Sequence, residues 1–329
     1  MPLSTLSLKR STILTALSTL LLLNACGGGG STGADSTQTG GTSAPVTATV
    51  GAPVATAADF QAVQATGNTA TDGFNWFNYR RGQLGLPVLA RTATIDAAAQ
   101  GHSRYEQIND TLTHIQDTGA AGFTGVRPID RFAAAGYRFT ASSYASGEVL
   151  SSTSDQSGFN AAEDLIAAIY HRFVIFEPMF RQGGAGAAVS SSGRTYFTAD
   201  FAVNGLTPAL GRGKFVVYPA DGQKSVAPGF FSDYEVPDPV PDRNQVGYPI
   251  SLHADITSTM TVNSFTVRPR NGAPLQTRLL VHASDPETPV SAAALIPLDV
   301  LASGTTYDVQ FAGTVDDVPV ARSWSFSTR

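Results

Sequence analysis

The chain has a single cysteine, Cys26, in 329 residues, so no disulfide within one chain can brace its fold. A fold of this length must instead rest on buried apolar surface and backbone hydrogen bonds. The composition allows that. Hydrophobic residues make up 42% and charged residues 14%, a balance that suits packed domains rather than disorder. The length is enough for two domains. The 21 basic and 26 acidic residues give a net charge of −5 with no basic cluster, which removes nucleic acid from the candidate partners.

Cys26 sits at the end of a leader-like segment. Lys9 and Arg10 precede an apolar run from Ile13 to Leu23, interrupted only by Thr and Ser. A membrane-spanning helix needs about 20 apolar residues. This shorter run matches the core of a secretory signal. Without Lys9 and Arg10, 19 basic residues face 26 acidic ones, a net of −7. Leu23-Asn24-Ala25-Cys26, followed by Gly27-Gly28-Gly29-Gly30, resembles the lipobox of bacterial lipoproteins, whose cysteine becomes the lipidated N-terminus. The resemblance implies a membrane partner through lipid on Cys26. It also implies a place in the bacterial cell envelope, outside the cytoplasmic membrane (periplasm or cell surface). Acyl chains bury at about 0.8 kcal/mol per CH₂, so two or more hold a protein stably. We read residues 1–25 as the signal and 26–56 as a flexible Gly/Ser/Thr-rich tether.

Two further regions follow, 57–205 and 206–329. In the first, the spacing predicts a helix from Thr71 to Arg81, capped by Thr71 or Asp72 and stopped at Gly82. A second is expected over Thr94 to Asn109, with Ile95, Ala98, Ala99, His102 and Tyr105 on one face. A short helix over Ile129 to Ala135 ends at Gly136. A longer one covers Asn160 to Phe173. Strands are expected at Ala185–Val189 and Thr195–Val203 around a Ser-Ser-Gly turn. Helices followed by strands make this an α/β domain. From Leu206 onward, short apolar segments alternate with turn signals, the pattern of an all-β sandwich.

Several segments of the first region together resemble the CAP superfamily (SCP or PR-1-like). They are Asn75 with Arg80, Gly85-Leu86-x-x-Leu89, Ala98-Ala99-x-x-His102-Ser103 and His114. Gly147-Glu148, Tyr170-His171-Arg172, Gly184-x-Gly186 and Tyr196-x-Thr198-x-Asp200-Phe201 continue the series. The resemblance implies an α-β-α sandwich with a cavity of two histidines and two acids able to hold a divalent metal. Carried across residue by residue, it gives His114, Glu148 and His171 as metal ligands. Glu163 is the nearest acid for the fourth place, and Tyr144 stands at the cavity mouth. Two imidazoles and a carboxylate suit zinc or another divalent metal, with water in the fourth position. Such a water could hydrolyse a bond. The sequence supplies no matched nucleophile and neither a Gly-x-Ser-x-Gly elbow nor a His-Glu-x-x-His helix. No residue is therefore assigned as catalytic. The favoured expectation is a binding domain for a small apolar molecule, a cell-wall component or a protein partner. A metal-dependent, peptidase-like hydrolase of envelope substrates is the alternative.

The remaining polar residues have plainer readings. His102 is a core histidine, Arg80 and Glu106 are surface or structural ion-pair groups, and His253 and His282 are incidental on strands. Val236 to Asp242 is a surface loop. Residues 206–329 open on Val216-Val-Tyr-Pro-Ala-Asp-Gly222 and close on Ser323-Trp324-Ser325-Phe326. They resemble the Ig-like domains of bacterial surface proteins, which space or bind. The fold class expected is thus an α-β-α sandwich followed by an Ig-like β-sandwich.

Overall fold

A computed structural model describes residues 26–27 and 63–329. The signal reading of residues 1–25, and the tether reading beyond Gly27, lie outside the described residues. Helix α1 (Thr69–Gln83) starts at Asn68, whose side chain accepts the Thr71 N–H at 2.9 Å. Neither Thr71 nor Asp72 is the cap. Asp72 turns back onto the preceding loop and accepts Thr66 N–H at 2.8 Å and Gly67 N–H at 3.1 Å. Gly82 stays helical, and the left-handed turn comes at Gly85 (φ +70°), where glycine carries no steric penalty. Helix α2 (Ala93–Asn109) and the short α3 (Pro128–Ala134) follow close to their expected bounds.

The first region is organised around a five-stranded sheet. Its strands are β1 (Cys26–Gly27), β2 (Ala90–Arg91), β3 (Tyr144–Thr153), β4 (Gln182–Val189) and β5 (Thr195–Asn204), in the order β1-β3-β5-β4-β2. The central β3, β5 and β4 are antiparallel. Backbone pairing of Cys26–Gly27 with Leu150–Ser151 covers what would otherwise be an exposed edge of β3. The start of the segment read as a free tether thus lies against the domain.

Side-chain alternation divides this sheet into two faces. On β5, Phe197 and Phe201 point to Phe77 of α1, with ring centroids at 6.1 and 5.9 Å. Their neighbours Thr198 and Ala202 point the other way. The Thr198 hydroxyl accepts from Ser103 of α2 at 2.8 Å, and Ala202 packs with Ile95, Ala98, Phe132 and Tyr137. Gly184 and Gly186 explain how α2 lies so close to β4. A Cβ on Gly184 would stand 2.3 Å from the Asp96 nitrogen, and one on Gly186 2.3 Å from Gln100 backbone atoms.

The opposite face is covered by α1 with α4 (Gly158–Ala167) and α5 (Ile169–Ile175). The single helix expected over 160–173 is two helices. They are separated at Ala168, which has extended backbone angles (φ −70°, ψ 121°). Gly147 of β3 faces α5, since a Cβ there would meet Val174 at 2.6 Å.

Residues 206–329 are β-rich. The strands β6 (Val216–Tyr218), β9 (Ile250–His253), β12 (Ala292–Pro297) and β11 (Thr277–Leu280) form one antiparallel sheet. A second comprises β10 (Met260–Pro269), β13 (Thr306–Val315) and β14 (Val318–Ser327). A ribbon of β7 (Gly229–Phe230) and β8 (Val246–Gly247) completes the region. Trp324 and Phe265 pack together at 6.1 Å. One apolar core runs without a break from α1, α4 and α5 into these strands. No helix among the described residues is long and apolar enough to cross a membrane.

The close approach of α2 gives a direct test. Gly186→Ala is expected to lower stability by roughly 1–3 kcal/mol in urea unfolding, because its Cβ meets backbone that cannot yield. Gly82→Ala, in an open helical position, is expected to raise it by roughly 0.5–1 kcal/mol.

Candidate functional site

The residues of the candidate site lie on the α2 face of the sheet. Glu148 follows Gly147, so alternation turns its side chain away from α5 and toward α2 and α3. The loop 111–126 brings His114 over it. His114 Nδ1 lies 2.8 Å from Glu148 Oε1, and Arg131 of α3 donates to Glu148 Oε2 at 2.5 Å. Arg131 also donates to the carbonyls of His114 (3.1 Å) and Val126 (3.3 Å), so one guanidinium fixes both the carboxylate and the loop. All three side chains are buried, His114 being 4% exposed.

A second layer of polar groups orders the loop. Gln116 Oε1 accepts the Thr124 N–H at 2.7 Å, which sets its amide so that the NH₂ end meets His102 Nδ1 at 2.8 Å. His102 Nδ1 is therefore the acceptor, and its Nε2–H donates to the Thr113 carbonyl at 2.7 Å. Both bonds suit the neutral imidazole. Burial, the largest influence, pushes its pKa down from 6.5 to about 4. Glu106, 3.7 Å from His102 Nε2, is fully buried and is pushed well above the usual range by burial and then by the Glu148 charge. This is a core acid, not a surface one.

Asp200 stands directly opposite Glu148 in the β3–β5 register and on the same face. Two carboxylates so placed cannot both ionise in a dry site. Glu148 keeps the charge. Burial works against its ionisation, but Arg131 foremost, with His114 donating to it, holds its carboxyl well below the usual range. Asp200 keeps the proton, pushed well above its ordinary value by burial and by Glu148. The site is thus one buried ion pair, Arg131–Glu148, among neutral Asp200, Glu106 and His102.

The sequence-predicted set is divided between the two faces. His114 and Glu148 come together, and Tyr144, at the same strand parity, stacks on Phe139 at 4.2 Å near the surface. His171 does not join them. It lies on α5, across the sheet, with Nδ1 3.1 Å from Glu235 Oε1. Glu163 is on that side too, in a buried ion pair with Arg80, so of the two readings of Arg80 the structural ion pair holds and the surface one does not. His253 is also not incidental, since it packs edge-on against Phe173 and Phe176 of the first region. Arg131, Asp200, Glu106 and Gln116 are the residues that reasoning from sequence missed. The i, i+4 spacing of His102 and Glu106 and the alternation Thr198-x-Asp200 were visible. Their convergence on Glu148 depends on strand register.

A divalent metal does not fit these residues. Among the described residues no group of three or more His, Cys, Asp or Glu side chains could hold one. Of the predicted ligands only His114 and Glu148 meet, and they share their site with the fixed positive charge of Arg131.

The model of the cysteine-rich secretory protein family (CAP) matches residues 74–201. Residues 74–201 are a CAP domain. Among solved structures, the chain is similar to an extracellular protein containing a SCP domain from Bacillus anthracis. The identity is 22%, over 40% of this chain and 39% of that one, with a TM-score of 0.33. An outer surface protein from Borrelia burgdorferi is 15% identical over 40% of this chain and 90% of its own, TM-score 0.34. A cysteine-rich secretory protein from Staphylococcus aureus is 12% identical over 43% and 40%, TM-score 0.30. The similarity thus spans about two fifths of the Bacillus and Staphylococcus chains. No protein of curated function matches the sequence.

Two outcomes are expected from the charge states in the CAP domain. In an NMR titration His102 should take up a proton near pH 4. Because the unfolded chain takes it up near 6.5, stability should fall as pH drops from 6.5 to 4, by ~3 kcal/mol at most. For Asp200 the sign is opposite. Its raised pKa contributes stability at low pH that is lost as pH rises above 3.8. Asp200→Asn should therefore be neutral or stabilising at pH 7, whereas Glu148→Gln should cost about 3–5 kcal/mol by stranding Arg131.

Proposed function

We propose that this chain is an exported, lipid-anchored envelope protein whose CAP domain binds a ligand and is not a metal hydrolase. The observation that carries this reading is the Glu148 carboxylate. One oxygen is taken by His114 and the other by Arg131, so the group serves as the anchor of a salt bridge. A metal-bound water needs an open coordination position on a cation held by several ligands. Here the cation is an arginine, which has no such position.

The arrangement holds a loop in place. Gln116, His102 and Arg131 hold residues 111–126 by hydrogen bonds, and this loop presents Ile115 (42% exposed) and Phe123 (38% exposed) to solvent. Apolar side chains on a pre-ordered loop suit a small apolar molecule, a cell-wall component or a protein partner, since little ordering cost remains on binding. The lipobox-like Cys26 supplies the membrane attachment, outside the cytoplasmic membrane. We read residues 206–329, two antiparallel sheets, as the Ig-like module that the sequence suggests.

The reading is tested on the intact chain. Zinc titration is expected to show no stoichiometric site. Wild type and His114→Ala should be equally inactive toward envelope peptides. Ile115→Asp with Phe123→Asp should abolish retention of envelope extract components while leaving the circular dichroism spectrum unchanged. Equimolar zinc lost with His114→Ala, together with hydrolysis that depends on it, would restore the metal-hydrolase reading.

A further inference from the structure

Helix α5 carries the His171-Arg172 segment and has an unusual start. It is seven residues long and begins at Ile169, with Ala168 as its N-cap directly after α4, so no local side chain caps it. The first N–H groups of a helix need acceptors. They find them in Glu235, about 66 residues away in the β-rich half. Glu235 Oε2 accepts Ile169 N–H at 2.8 Å, and Oε1 accepts Tyr170 N–H at 2.6 Å and His171 N–H at 3.3 Å. The same oxygen takes the His171 ring Nδ1–H at 3.1 Å. A carboxylate here also complements the positive end of the helix.

Arg172 crosses the same seam. It donates to the Pro249 carbonyl at 2.6 Å and lies 4.9 Å from the ring centres of both Tyr218 and Tyr248. Its Nε donates back to the Ile166 carbonyl at 2.5 Å, closing the break between α4 and α5. Further along, Glu177 accepts Ile256 N–H at 3.1 Å. His253 sits edge-on to Phe173 and Phe176. Glu235 and Arg172 are at most 1% exposed, and each is satisfied only when both halves are present. Separating the halves would strand the N-terminal N–H groups of α5 on one side and leave Tyr218 and Tyr248 without their cation on the other. Buried charges and unpaired backbone groups make such a separation costly.

We infer that residues 206–329 and the CAP domain form one inseparable unit, joined by a Glu235 clamp on α5. His171 and Arg172 serve this seam. They are positioning residues for the junction between the halves, and the two halves unfold as one cooperative unit. This inference is independent of what the Glu148 face binds.

Hydrogen exchange with mass spectrometry on the full chain tests it, with peptides covering 169–175 and 248–254 read in the same molecule. In wild type the two peptides should lose protection at the same urea concentration. Glu235→Gln, which keeps the shape but removes the charge, should speed exchange in both by the same factor, about tenfold. Asp308→Asn, which breaks the exposed pair with Arg270, should move neither. Loss of protection at separate urea concentrations in wild type would overturn the inference, with or without a folded variant. So would an effect of Glu235→Gln confined to one half.

Discussion

Successive side chains of a strand point to opposite sides, and at Gly147-Glu148 this alternation governs the rest of the molecule. Gly147 lets α5 press onto the sheet through Val174. The next residue must then look the other way, toward α2, α3 and the His114 loop. Two residues that the family resemblance groups in one cavity, Glu148 and His171, are thereby assigned to different faces. Each finds another partner, Arg131 for Glu148 and Glu235 for His171. Glycines set the spacing on both faces, Gly184 and Gly186 under α2 and Gly147 under α5.

Buried charge is used in the same way at both places. In each, one carboxylate accepts several donors from elements that the chain must bring together. Glu148 joins strand, loop and α3. Glu235 joins the β-rich half to α5. Such groups are costly to desolvate, so their contribution lies less in net stability than in specifying one arrangement. Neighbouring acids that could spoil the balance, Asp200 and Glu106, are kept neutral by burial and by the Glu148 charge. The site therefore holds no excess of negative charge, which distinguishes it from a cation-binding site built on several carboxylates.

Much of the fold was legible because it follows local rules. The α2 face of Ile95, Ala98, Ala99, His102 and Tyr105 gave that helix to within a residue, and the turn at Ser191–Gly193 gave the β4–β5 hairpin. The errors fall where a distant residue decides. The break at Ala168 cannot be seen locally, because the cap that permits it is Glu235. Strand β3 was missed because Ser146 and Gly147 weaken its apolar pattern, and β12 because its alanines read equally well as helix. The cap of α1 was displaced from Thr71 to Asn68 because Asp72 is engaged by Thr66 and Gly67. In the site, His114 and Glu148 were recognised from motif spacing. The Arg131 guanidinium that decides their chemistry was not, since only the folded loop brings α3 to β3.

In the proposed reading Arg131, not a metal, is the cation of the Glu148 site, and His171 belongs to the seam between the halves. Anomalous diffraction at the zinc edge from crystals of the full chain soaked in zinc tests both parts together. No anomalous peak is expected between His114 and Glu148, with Glu148 still on Arg131 and His171 still on Glu235. A zinc peak ligated jointly by His114, Glu148 and His171 would contradict it.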